Sequence, residues 1–199
     1  MYFVFMEFLD NKVEETLRKL RDALQPWKSS KSPIHVTVRG PYQNEPDSRY
    51  LNDIASRLTG QGVRIIGAGY FSHGTHFSVF LRAESAIFKE VWWKPDYRSP
   101  LLDIQPHITI FESDDRESAM LVVNFLKAAR ISIHTTSVQL SVYSATEPDL
   151  FGTRLIGNLP SKISEMQDIV AIDEEIIARA RELGNELMER RDDLNNRKS

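Results

Sequence analysis

"SPIHVTVRGPY", residues 32 to 42, runs apolar and chemically capable side chains alternately through a β-branched stretch, and "QPHITIFES", residues 105 to 113, repeats it. Successive strand side chains point to opposite faces. His35, Thr37 and Arg39 are therefore expected on one side, and Ile34, Val36 and Val38 on the other. In the second segment His107, Thr109 and Phe111 share a face, with Ile108 and Ile110 opposite. The apolar side satisfies the core, so each strand can show an imidazole and a hydroxyl roughly 7 Å apart, two rises of about 3.3 Å, on a surface that packing does not require. That spacing suits a phosphate. An imidazole titrates near neutrality and serves as acid or base, and a hydroxyl can donate to a non-bridging phosphoryl oxygen.

The pattern needs discrimination, because histidine followed two residues later by threonine occurs at 35, 73, 107 and 134. His73 and Thr75 lie in "SHGT", a stretch of turn composition. His134 lacks the preceding proline and the apolar residue between, and is expected to begin a strand. Only the segments at 35 and 107 match in every feature. Zinc is a rival reading for His73 and His76, three apart, but Gly74 between them argues against the helix such spacing needs, and no His-Glu-x-x-His run or aspartate cluster accompanies them. No metal site and no cofactor are expected. "GQGVRIIGAG" precedes no helix, so it is not a phosphate-cradling glycine loop.

Working outward, residues 2 to 8 read as a strand and "NKVEETLRKLRDAL" as an amphipathic helix with Val13, Leu17, Leu20 and Leu24 on one face. "DSRYLNDIASRLTG" is a second helix opened by Asp47 or Ser48 and closed by Gly60. Strands follow at 62 to 71 and in "HFSVFLRA", then a short helix near 85 to 93 and a loop from Lys94 to Pro106. The order then recurs: strand 107 to 111, helix 116 to 130, an alternating strand around 137 to 143, and "GTRLIGNL" pairing with it across "ATEPDLF". The expected fold is α+β: two lobes, each containing a β-α-β unit, duplicated around a shared groove, with mostly antiparallel sheets. Residues 1 to 160 form this body. Residues 161 to 194 read as one long helix with Ile163, Met166, Val170, Ile177, Ala180 and Leu187 near one side, either packed on its own body or pairing in a dimer, though Asp173 and Gly184 interrupt the seam.

Composition bounds the functions. With 41% hydrophobic and 27% charged residues, the chain suits a globular fold, and no cysteine is present for disulfides, thiolate catalysis or thiolate-bound metal. Residues 1 to 160 balance 18 basic against 18 acidic side chains, and the net charge of -3 comes from the remainder. An even balance disfavours a long nucleic acid tract and leaves a nucleotide or short oligonucleotide as partner. No apolar run is long enough to cross a membrane, "MYFVFMEF" is too short for a signal peptide, and a cytoplasmic protein is expected.

"PIHVTVRGPY" and "PHITIFE" resemble the 2H phosphoesterase superfamily, which includes 2'-5' RNA ligase-like and cyclic nucleotide phosphodiesterase branches. The resemblance spans about residues 1 to 160 and implies a bilobal, duplicated fold with one His-x-Thr per lobe facing a central cleft. It implies that His35 and His107 are the paired acid and base and that Thr37 and Thr109 hold the phosphate. Hydrolysis of a cyclic phosphate or 2'-5' bond without a metal would follow. Arg39 is expected to assist as a phosphate partner and Tyr42 to stack on a base, while Phe111, which could also stack, is expected first to pack in the core. Trp92 and Trp93 end the short helix, one expected to anchor the core and the other to lie near the loop holding Lys94 and Arg98. The alternative from another class is a non-catalytic binder of a nucleotide or RNA end, signalling through the terminal helix.

Overall fold

The computed structural model describes residues 1–28, 32–58, 60–91, 105–145, 153–158 and 169–196. Trp92, Trp93, Lys94 and Arg98, the loop "ATEPDLF" beyond Ala145, and the first part of the expected terminal helix lie outside these residues.

Local chemistry starts the helices. The Asp10 carboxylate accepts from the backbone N–H of Lys12 at 2.6 Å and of Val13 at 3.3 Å, opening α1 (Asn11–Leu24). Asp115 does the same for Glu117 and Ser118 at the start of α4 (Arg116–Ala128). Each cap is worth about 1 kcal/mol. Leu17, Leu20 and Leu24 of α1, and Val122, Val123 and Leu126 of α4, bury the apolar stripes that periodicity predicts. Between these helices come α2 (Ser48–Leu58) and the short α3 (Phe88–Val91).

The fold is α+β with two sheets, one of them curled into a half-barrel, and every described pairing is antiparallel. The first sheet orders β2 (His35–Tyr42), β1 (Tyr2–Phe8), β7 (Val138–Ala145) and β8 (Thr153–Asn158). The second orders β5 (His107–Ser113), β4 (His76–Glu84), β3 (Val63–His73), β6 (Ser132–Thr135) and β9 (Ile169–Ala171). β2 and β5, the strands that carry the repeated segment, are thus the edges of different sheets. Side chains of both sheets and of the helices close one continuous core.

One expectation holds and one needs correction. The strand expected around 137 to 143 is β7, and the strand that holds His134 is a separate one, β6, in the other sheet, because the chain crosses between sheets at Thr136 and Ser137. The long helix starts later than expected: Ile169–Ala171 pairs with β6, Val170 opposite Ile133, and α5 runs Glu174–Asn196. β-Branched residues suit that strand, and Asp173 accepts from the Ile176 N–H at 2.9 Å to open the helix. Ile177, Ala180 and Leu187 are buried as the periodicity predicts. Gly184 lies so close to α1 that a Cβ there would stand 2.0 Å from the Ala23 carbonyl oxygen. The two residues that interrupt a dimer seam, Asp173 and Gly184, are a cap and a helix contact within the chain. No described helix is long and apolar enough to cross a membrane.

Candidate active site

One small cavity, about 130 Å³, is lined by His35 and Thr37 of β2 and by His107 and Thr109 of β5. The space corresponds to roughly four waters at about 30 Å³ each, enough for one phosphoryl group. Both imidazoles are oriented the same way. His35 Nδ1 lies 2.8 Å from the Pro33 carbonyl oxygen, and His107 Nδ1 lies 2.6 Å from that of Gln105, in each case two residues upstream. A carbonyl only accepts, so the ring proton belongs on Nδ1 and the Nε2 lone pair is left for chemistry.

The rings rest on aromatic supports that the pairing puts beside them. Phe5 lies opposite Thr37, and Phe80 opposite Thr109. Phe5 stacks on His35 with centroids 3.7 Å apart, while His107 sits 5.0 Å from Phe80 and edge-on to Phe71 at 4.9 Å. Burial among these rings disfavours the cationic form. It lowers His35 to about 4, helped by the charges of His107 and Arg21 and opposed by the Pro33 carbonyl, and it lowers His107 against the pull of Gln105.

The same irregularity comes after each threonine. Between Thr37 and Arg39 the register with β1 slips by one residue, and between Thr109 and Phe111 the register with β4 slips likewise. Such a bulge turns the next side chain to the other face. Arg39 pairs with Val4, not with the face of Phe5 and Thr37, and is 1% exposed with its guanidinium 4.9 Å from the Tyr50 ring centre and bonded to the Tyr50 hydroxyl. The expectation that Arg39 faces phosphate is therefore corrected: it belongs to the core side. Tyr42 also fails to line the cavity, being buried opposite Tyr2. Phe111 leaves the face of Thr109 for that of Val79, is buried, and borders the cavity while packing edge-on against Trp27. The other His-x-Thr pairs lie elsewhere: His73 and His76 face each other at the β3–β4 hairpin, and His134 sits in β6 against Gly62. Among the described residues, no group of three or more potential ligands could hold a metal.

Sequence reasoning missed a polar wall of the cavity. Arg21, Gln25 and Lys28 line the cavity from α1 and its C-terminal extension. Arg21 donates to the Ser32 carbonyl at 2.9 Å, Gln25 to that of Glu112 at 2.7 Å, and Lys28 meets the Glu112 carboxylate at 2.5 Å. These bonds tie α1 to the segment before β2 and to β5. Part of the signal was present: Arg21 stands one turn after Leu17 on the buried face of α1, whereas Gln25 and Lys28 follow the end of the helix. No family model and no curated protein matches the chain.

Proposed function

We propose that the chain is a two-histidine phosphodiesterase that needs no metal, opening a cyclic phosphate or cutting a 2'-5' bond in a nucleotide or short RNA end. The observation that carries this reading is the matched pair of imidazoles, each held through Nδ1 by a carbonyl two residues upstream and each with a threonine two residues downstream, around one cavity. The shared bulge after each threonine supports descent of the two halves from one duplicated lobe.

One of the two imidazoles, His35 or His107, serves as base in the neutral form that burial favours. Its Nε2 takes a proton from water as the water oxygen bonds to phosphorus. The other enters protonated, because a bound phosphate anion favours the imidazolium, and gives its proton to the departing ribose oxygen as that P–O bond breaks. Thr37 and Thr109 donate to the non-bridging oxygens, and Arg21 and Lys28 offset their charge.

The test is hydrolysis of 2',3'-cyclic AMP and 2'-5' oligoadenylate with EDTA present. His35→Ala and His107→Ala should each lower kcat by about 10²- to 10⁴-fold. Full activity in either variant, or loss of wild-type activity to the chelator, overturns the mechanism. A binder that returns both compounds chemically unchanged overturns it equally.

A further inference from the structure

A second and larger cavity, about 510 Å³, adjoins the first and shares Gln25, Lys28, Phe111 and Glu112 with it. Trp27, just beyond α1, forms part of its wall, and α5 closes the far side through Leu187, Arg191 and Asn195. The indole is fixed from one direction by Phe111, edge-on at 6.1 Å, and is covered from another by the Arg191 guanidinium, 5.7 Å from the ring centre. We infer that this cavity is a nucleobase subsite, in which the base of a substrate whose phosphate fills the first cavity stacks between Trp27 and Arg191.

A planar cation over an indole marks a slot for a second flat ring, since unstacked bases settle on aromatic faces and on arginine planes. Two stacking intervals of about 3.4 Å need roughly 7 Å, so Arg191 has to withdraw by little more than about 1 Å. Its side chain is exposed and long enough to do so.

Charge selects which end of a substrate fits. Glu112, Asp114 and Asp115 border this space, and each already has a partner: Lys28 at 2.5 Å, the His76 imidazole at 2.9 Å and Arg190 at 2.8 Å. An additional phosphate would meet three carboxylates against the two cations, Lys28 and Arg191, that line the same space. A neutral base carries no charge for them to repel, and its amino group can donate to carboxylate oxygen. The favoured substrate class is a single phosphate joined to a nucleoside on this side, such as a nucleoside 2',3'-cyclic phosphate or a dinucleoside monophosphate. The identity of the phosphate site rests on the phosphodiesterase reading, whereas stacking on Trp27 does not.

Calorimetric titration of the full chain with adenosine 2'-monophosphate and with inorganic phosphate tests it. Wild type should bind the nucleotide at least about tenfold more tightly than phosphate, the scale of one base–aromatic stack. Arg191→Ala and Trp27→Leu should weaken the nucleotide severalfold while phosphate affinity holds. Because Arg191 is exposed, its variant remains informative if the Trp27 variant fails to fold. Equal affinity for the two ligands in wild type, or equal weakening of both in Arg191→Ala, overturns the subsite. If no cyclic nucleotide is hydrolysed but nucleotide binding still depends on Arg191, the catalytic reading falls and the subsite stands. If glycerol 1,2-cyclic phosphate is turned over as fast as 2',3'-cyclic AMP, with no effect of Arg191→Ala on either, the subsite falls and catalysis stands.

Discussion

β2 and β5 hold the same constants in unlike surroundings. Each is a sheet edge, each anchors its histidine to the carbonyl two residues upstream, each sets a phenylalanine of the adjoining strand opposite its threonine, and each bulges at the next residue. Past the bulge the two strands part: β2 buries Arg39 against Tyr50, and β5 buries Phe111 against Trp27. The supports differ too, a flat stack under His35 against tilted and edge-on rings around His107. The shared features are those that aim an imidazole and a hydroxyl, and the divergent ones belong to packing. The bulge separates the two, since it frees the residue after threonine from the cavity face and releases it to the core.

If the strands are equivalent halves of one device, matched substitutions should have matched effects. Beyond the histidines, whose loss should be the most severe, Thr37→Val and Thr109→Val should each reduce kcat by about 10²-fold, the usual effect of removing one preorganised donor to a developing oxyanion, with smaller changes in KM. Valine keeps the volume and the β-branch of threonine, so folding is a minor variable. A large loss in one variant beside wild-type rates in the other breaks the equivalence.

The same bulges explain how much of the site was legible in the sequence. The alternation at His35–Val38 and His107–Ile110 revealed the strands and the faces of the histidines, because strand geometry alone determines them. It placed Arg39 and Phe111 on the wrong side, because a one-residue slip flips every later side chain and leaves no mark in a local pattern. Arg21 escaped notice for the opposite reason: it lies in a helical row with Leu17, where apolar residues are expected, and its place at the cavity depends on the segment before β2 and on β5 lying beside α1. The crossing at Thr136 and Ser137 and the short strand Ile169–Ala171 were hidden because both depend on partners far away in the chain.

A smaller effect sharpens the contrast in protonation. The folded-state pKa of His35 is lowered to about 4 from an ordinary 6.5. Its neutral burial therefore contributes stability that is fully present above about 6.5 and is lost as pH falls from 6.5 toward 4, because the unfolded chain binds the proton first. The slope from this one group approaches about 1.4 kcal/mol per pH unit. Urea unfolding of wild type and His35→Gln between about pH 4.5 and 7.5 isolates it, since the carboxylates titrate alike in both. His107 acts in the same direction. Parallel pH profiles for the two proteins would show that His35 is not buried as a neutral ring.

The smallest effect compares Arg39, which the strand pattern points to, with Arg21, which it does not. Arg21 lines the cavity and its charge opposes protonation of His35, while Arg39 stands on the far face of the same strand as His35. Replacing Arg21 by Met removes a repelling cation, so the His35 pKa should rise, as tracked through the imidazole proton resonances across an NMR pH titration. Replacing Arg39 by Met should leave that titration where it is. Its cost should appear in stability, by lost packing against Tyr50. The two variants thus separate a charge that acts on the cavity from one that acts on the core, and a His35 titration that moves with Arg39 but not with Arg21 would reverse the faces assigned to them.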